Sequence, residues 1–284
     1  MFQEQWLELD QGRRKLSAGV RQGAGSSPVL VLLHGVTRFW RDWESMVPFL
    51  NHQWTIYSID HRGHGLSDRT ESYLVADYAN DLIELLKSRA FGDSVVLCGH
   101  SLGAMVAAIA AANVPERVRV AILEDPPLDT MGPAIDGTTW QTLFRGMQSV
   151  CKQGGSIDQI AQVLGSIELT QPDGKPIALR QLRTDEALRW SASCLSKLDP
   201  NVLDPVIAGR WLEGVDWRKV AAQIQCPTVL LQADFRAGGA LSDSDAESFS
   251  KNCTRCEWAR FPGQNHQLHG SIPAQIANIV NRFA

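Results

Sequence analysis

Short β-branched runs alternate with longer amphipathic stretches along most of this chain of 284 residues, and no other feature narrows its fold as far. That alternation implies a mostly parallel sheet covered on both faces by helices. The strand-like runs fall at 6–9, 15–21, 29–33, 54–59, 95–98, 118–123, 228–232 and 255–261, eight in all. Helical periodicity fills 75–89, 102–112, 243–250 and 273–283. No helix separates the first two strands, so they should open the sheet as an antiparallel pair. The alternation stops between 126 and 216, where four helical patterns, at 138–152, 157–164, 185–197 and 202–211, are joined by Pro-rich segments. Gln171-Pro172-Asp173-Gly174 reads as a turn between them. The organisation expected is a core made of 1–125 and 217–284, with 126–216 inserted after the sixth strand as a helical cap.

Charge and apolar pattern exclude several classes of partner. Lys and Arg number 27 against 31 for Asp and Glu, a net charge of −4 that offers no electrostatic reason to bind nucleic acid or an anionic membrane. No apolar run approaches the roughly 18 residues that suggest a membrane span. The first ten residues lack the basic opening and apolar stretch of a secretory leader, so the expected compartment is the cytoplasm and the expected partner a small molecule. Oligomeric state is left open, a homodimer included. The six cysteines are then expected to be reduced. Cys253 and Cys256 form the only C-x-x-C pair, with neither a second pair nor histidines at zinc spacing, so no metal is expected.

Chemistry concentrates in three segments. Gly99-His100-Ser101-Leu102-Gly103 follows the run at 95–98 and opens the alanine-rich helical pattern, which is the strand, sharp turn and helix context of a nucleophile elbow. Two flanking glycines suit strained backbone packed closely between strand and helix, and the helix N-terminus favours negative charge developing at Ser101. His34-Gly35-Val36 leaves the third strand beside the elbow, and the N–H groups of Val36 and Leu102 are the candidate oxyanion hole. His34 reads as a structural tie for that loop. Near the end of the chain, Phe261-Pro262-Gly263-Gln264-Asn265-His266-Gln267-Leu268-His269 follows the last strand. His266 is preferred to His269 as the base for Ser101 because it lies closer to the strand end. Asp60-His61-Arg62-Gly63-His64-Gly65 carries two glycines at the spacing of a dinucleotide fingerprint, but Asp68 stands where the third glycine belongs.

Taken together, H-G-x after the third strand, D-H-R-G-H-G-x-S after the fourth, G-H-S-L-G and the late histidine resemble the α/β-hydrolase superfamily, and the resemblance covers essentially the whole chain. It is closest in style to capped bacterial serine esterases and lactone hydrolases. Haloalkane dehalogenases and epoxide hydrolases of this fold carry Asp where this chain has Ser101. The resemblance implies an eight-stranded sheet, a Ser-His-Asp triad, no metal or organic cofactor, and hydrolysis of a carboxylic ester or lactone through an acyl-enzyme. It leaves open a C–C hydrolase or perhydrolase with the same triad, and a weakly catalytic ligand receptor.

The third triad member departs from the common pattern. Relatives usually carry the acid after the seventh strand, where this chain has Arg236, with Asp234 two residues early. Others take it from the end of the sixth strand, which points to Asp125. Asp125 is therefore the first choice, Asp234 the second and Glu124 the third. The inserted segment overhangs the elbow in this fold, so Trp140, Trp190 and Trp211 are the candidate substrate-binding residues, with Phe144 and Met147 beside them, and a medium-sized apolar or aromatic substrate is expected.

Overall fold

The structure, a computed structural model, describes residues 1–25, 27–171 and 174–284. Its main sheet contains β1 (Gln3–Leu9), β2 (Arg14–Arg21), β3 (Val29–Leu33), β4 (Thr55–Ile59), β5 (Val95–His100), β6 (Val118–Glu124), β9 (Thr228–Ala233) and β10 (Cys256–Phe261), while β7 (Glu168–Thr170) and β8 (Pro176–Ala178) form a separate hairpin. The spatial order is β1-β2-β4-β3-β5-β6-β9-β10. β1 pairs antiparallel with β2, as does β2 with β4, and every later pairing is parallel. The expected antiparallel opening and parallel body are therefore both present.

Alternation of side chains along each strand builds a core on either face. Leu30, Leu32, Val96, Cys98, Val120, Ile122, Val229 and Leu231 meet Trp43, Trp54 and the last helix on one side. Val31, Leu33, Leu97, Ala121, Leu123 and Leu230 face α1 (Val75–Lys87) and α2 (Leu102–Asn113) on the other. In α2 the residues from Leu102 to Ala111 are all buried, which its small alanines allow. α2 can approach the sheet closely because Gly103 lacks a side chain: a Cβ there would lie 2.0 Å from the Leu33 carbonyl oxygen.

Between β6 and β9 the chain is mainly helical. α3 (Thr139–Gln153), α4 (Ile157–Gly165) and α5 (Asp185–Leu195) each begin at a hydroxyl cap, with Thr138, Ser156 and Thr184 accepting the N–H three residues on. The pattern expected at 202–211 forms only the short α6 (Leu203–Ile207), because Gly209 turns into the left-handed region at φ 67° and ends it. α7 (Trp217–Gln223) returns the chain to β9, after which α8 (Asp243–Asn252), α9 (Leu268–Ser271) and α10 (Pro273–Asn281) complete it. Pro172 and Asp173, the centre of the turn expected at 171–174, lie outside the described residues. Leu143, Phe144, Met147, Leu188 and Leu195 of the inserted segment join the same apolar cluster as the sheet face under α1 and α2. No helix among the described residues is long and apolar enough to cross a membrane.

Candidate active site

Ser101 stands between β5 and α2 with φ 54° and ψ −114°, a conformation costly for a residue with a side chain. Its N–H donates to the Glu124 carbonyl at 2.8 Å, which ties the elbow to the end of β6. Gly99 is required on the near side, since a Cβ there would lie 2.2 Å from the Gly103 carbonyl oxygen. The loop after β3 presses against the elbow: a Cβ on Gly35 would meet His100 Nδ1 at 2.8 Å and Ser101 Cβ at 3.3 Å. The N–H groups of Val36 and Leu102 have no acceptor among the described residues, and one is at this loop, the other at the first position of α2. His34 ties the loop down, its Nε2 accepting the His61 N–H at 3.1 Å, and burial pushes its pKa down to about 4.

The ends of β6 and β10 bring two acids to two histidines. His266 Nδ1 donates to Asp125 Oδ2 at 2.6 Å. Three backbone N–H groups hold that carboxylate: Ala233 and Leu241 donate to Oδ1 at 3.0 and 3.4 Å, and Ala240 to Oδ2 at 2.7 Å. Asp125 is fully buried. Asp234, the rival acid, does not reach His266. It accepts the N–H groups of Arg236 and Gly263, both at 2.9 Å, and those bonds, Gly263 foremost, lower its pKa. Glu124 takes the other histidine, His269, whose Nδ1 lies 2.8 Å from Oε1. Glu124 is the last residue of β6 and Asp125, with φ 44°, turns out of the strand, and the two carboxylates serve different rings.

His269 is buried between Glu124 and Asp42, whose Oδ2 lies 3.3 Å from Nε2. Burial opposes its charge, but the two carboxylates outweigh it and push the pKa up to about 10. Asp42, His100 and His269 each offer an atom within 4.8 Å of the others, a spacing a metal could use. The chemistry of these donors argues otherwise: a protonated His269 has no lone pair to give and is already paired with both acids. His100 is kept neutral, chiefly by burial and then by His266. Its Nε2 donates to the His266 carbonyl at 3.0 Å, so the residue before Ser101 also fixes the histidine loop. Among the described residues no hydrogen bond joins the Ser101 hydroxyl to His266; such contacts often tighten only with substrate bound.

The three candidate tryptophans separate. Trp140 stands 5.7 Å from the His266 ring, edge to face, and stacks on Phe144 at 6.1 Å. Trp190 is half-buried, packs on Phe39 and donates to Asp42 at 3.3 Å. Trp211 is a correction to the sequence reading: it is only 1% exposed within the main apolar cluster, where its carbonyl accepts the Val75 N–H that begins α1, and it has no surface to offer a ligand. Met147 is likewise sunk in that cluster. Asp42, His100, Gln267 and Glu124 have roles around the histidine loop that sequence reasoning missed or misassigned. The Glu-Asp doublet at the β6 end facing two late histidines was the one available signal.

The fold and this strand-end constellation define a hydrolase class, and residues 28–193 match the model of the α/β-hydrolase fold family, to which the chain belongs. Over 125 residues it is 39% identical to 2-(acetamidomethylene)succinate hydrolase of Mesorhizobium japonicum, a match covering 43% of this chain and 44% of that protein. The alignment thus spans less than half the length of that relative. Among solved structures, a hydrolase from Pseudomonas aeruginosa superposes with a TM-score of 0.73 at 20% identity, covering 99% of this chain and 97% of the other. The enol-lactonase of Burkholderia xenovorans gives 0.73 at 15% identity, with 98% and 99% covered. At these identities the structural likeness concerns the fold.

Proposed function

We propose that this chain is a serine hydrolase that cleaves a carboxylic ester or lactone of a small molecule through an acyl-enzyme on Ser101. The observation that carries the reading is the 2.6 Å bond from His266 Nδ1 to the buried Asp125 carboxylate, at strand ends beside a strained serine. With Nδ1–H committed to Asp125, Nε2 is the free base. It takes the Ser101 proton as Oγ attacks the carbonyl, the N–H groups of Val36 and Leu102 hold the oxyanion, and the imidazolium returns the proton to the leaving oxygen. Water activated by the same histidine then releases the acid. Asp125, its oxygens held by backbone N–H groups, stabilises the imidazolium. Trp140 beside His266 suits a substrate with an apolar or aromatic body. Hydrolysis by the Mesorhizobium relative and lactone opening by the Burkholderia enzyme, as their names state, are consistent with this chemistry.

A fluorophosphonate probe should label the protein, Ser101→Ala should abolish the labelling, and chromogenic short esters or lactones should show burst release. Folded protein that neither labels nor turns over would remove the enzyme reading in favour of a ligand receptor. Labelling without turnover of any ester or lactone would keep Ser101 as nucleophile and overturn the substrate class.

A further inference from the structure

Arg183, the residue before the Thr184 cap of α5, is half-buried and has no acidic partner among the described residues. Its Nη1 reaches the Ser191 hydroxyl at 3.5 Å, and Arg38 Nη1 reaches the same oxygen at 3.3 Å. Two guanidiniums therefore converge on one neutral group. Arg38 shares its acidic partner, Asp42, with His269. The nearest carboxylate oxygen, Asp42 Oδ1, is 3.7 Å from Nε and already accepts from Gln267 at 2.8 Å and Trp190 at 3.3 Å. The other oxygen of Asp42 faces the His269 cation. Lys197, 4.7 Å above the Phe39 ring, adds a further positive charge, and no ion pair among the described residues cancels it. Burial, with Arg38 adding to it, pushes the Arg183 pKa down to about 10, as expected of a cation withdrawn from water without a counter-ion. A partly buried cation without an acidic partner costs free energy, and an anion from outside would relieve it. The planar fork of each guanidinium suits a carboxylate held by two or more N–H groups.

Arg38 brings the pair near the proposed nucleophile. Arg38 lies two residues beyond Val36 on the loop pressed against the elbow, and Asp42 beside it stands within 4.8 Å of His100, the neighbour of Ser101. We infer that Arg38 and Arg183 form a carboxylate subsite, so that the substrate is an anionic small molecule presenting a carboxylate on one side and a hydrolysable ester or lactone carbonyl to Ser101. This inference rests on the proposed function for the carbonyl half alone; the carboxylate half can be read without turnover.

Glutarate, an unreactive dicarboxylate, is the probe. It should raise the unfolding temperature of the wild type and of Ser101→Ala at millimolar concentration, and Arg38→Gln and Arg183→Gln should weaken its binding at least about tenfold. Without ligand, Arg183→Gln should unfold at the wild-type temperature or above it, since it removes a half-buried charge that has no acidic partner. Arg183→Lys keeps the charge without the fork, and should bind glutarate with intermediate affinity. In activity, the mono-4-nitrophenyl ester of glutaric acid should exceed 4-nitrophenyl pentanoate in kcat/KM, and Arg183→Gln should bring the ratio near one, mainly through KM. Glutarate binding that is absent from the wild type, or equal in wild type and both variants, would overturn the subsite. So would a lowered unfolding temperature for ligand-free Arg183→Gln, which would make the arginine structural. Glutarate binding lost in the variants from a protein that neither labels with fluorophosphonate nor turns over ester would uphold the subsite while removing the serine hydrolase.

Discussion

Asp125 adopts φ 44°, in the left-handed region, at the point where β6 ends, and its carboxylate meets three backbone N–H groups and one imidazole. Replacement by the isosteric amide would turn an NH2 group toward donors that need an acceptor and would spoil the histidine tautomer. Asp125→Asn should therefore cost about 10⁴ in kcat. Asp234 joins two loops and does not touch His266, so Asp234→Asn should cost less than about tenfold. Steady-state rates, with thermal unfolding of each variant alongside to exclude misfolding, decide the matter; a dead Asp234→Asn beside a brisk Asp125→Asn would reverse the assignment. Ser101 was legible because its motif is contiguous and its strand and helix flanks are local. Between Asp125 and Asp234 the chain offered only a count of residues, since what separates them is the loop at 237–241 folding back to give Ala240 and Leu241 N–H groups to one of the two.

The loop from β10 to α10 is the element on which the candidate site turns. Its clamps are the bond from His100 to the His266 carbonyl, the bond from Gln267 to Asp42, and His269 held between Glu124 and Asp42. The folded-state pKa of His269, about 10, lies above its ordinary value of 6.5, so its contribution to stability is complete below pH 6.5 and lost as pH rises toward 10. The unfolding temperature of the wild type should accordingly fall across that window more steeply than that of His269→Gln. Parallel curves for the two proteins would show that the histidine is not the cation between these acids. Elements as such were largely readable: every strand of the main sheet was expected within a few residues of its place. The β7–β8 hairpin was missed because three-residue strands are too short for a period to show. α7 was missed for a similar reason, although Asp216, accepting from the N–H groups of Arg218 and Lys219, is a cap that could have marked it.

At the scale of the whole molecule, one apolar cluster runs from the α1 and α2 face of the sheet into α3, α5 and the segment around Trp211 without a break. The inserted segment should therefore unfold together with the sheet, and denaturation followed by tryptophan fluorescence and by far-ultraviolet circular dichroism should give coincident single transitions. An earlier fluorescence transition, with much of the helical signal intact, would show the two parts to be energetically separate. The sequence alone determined the parallel sheet, the serine at its sharp turn and the histidine after the last strand, because periodicity, glycine pairs and strand ends are local patterns whose physics acts between near neighbours. Only the tertiary structure decided which acid meets His266, that Trp140 stands at the histidine while Trp211 is spent in the core, and that Arg38 and Arg183 share Ser191. Those outcomes depend on how distant segments pack against one another, and chain separation of that order leaves no periodic trace in the residues that meet.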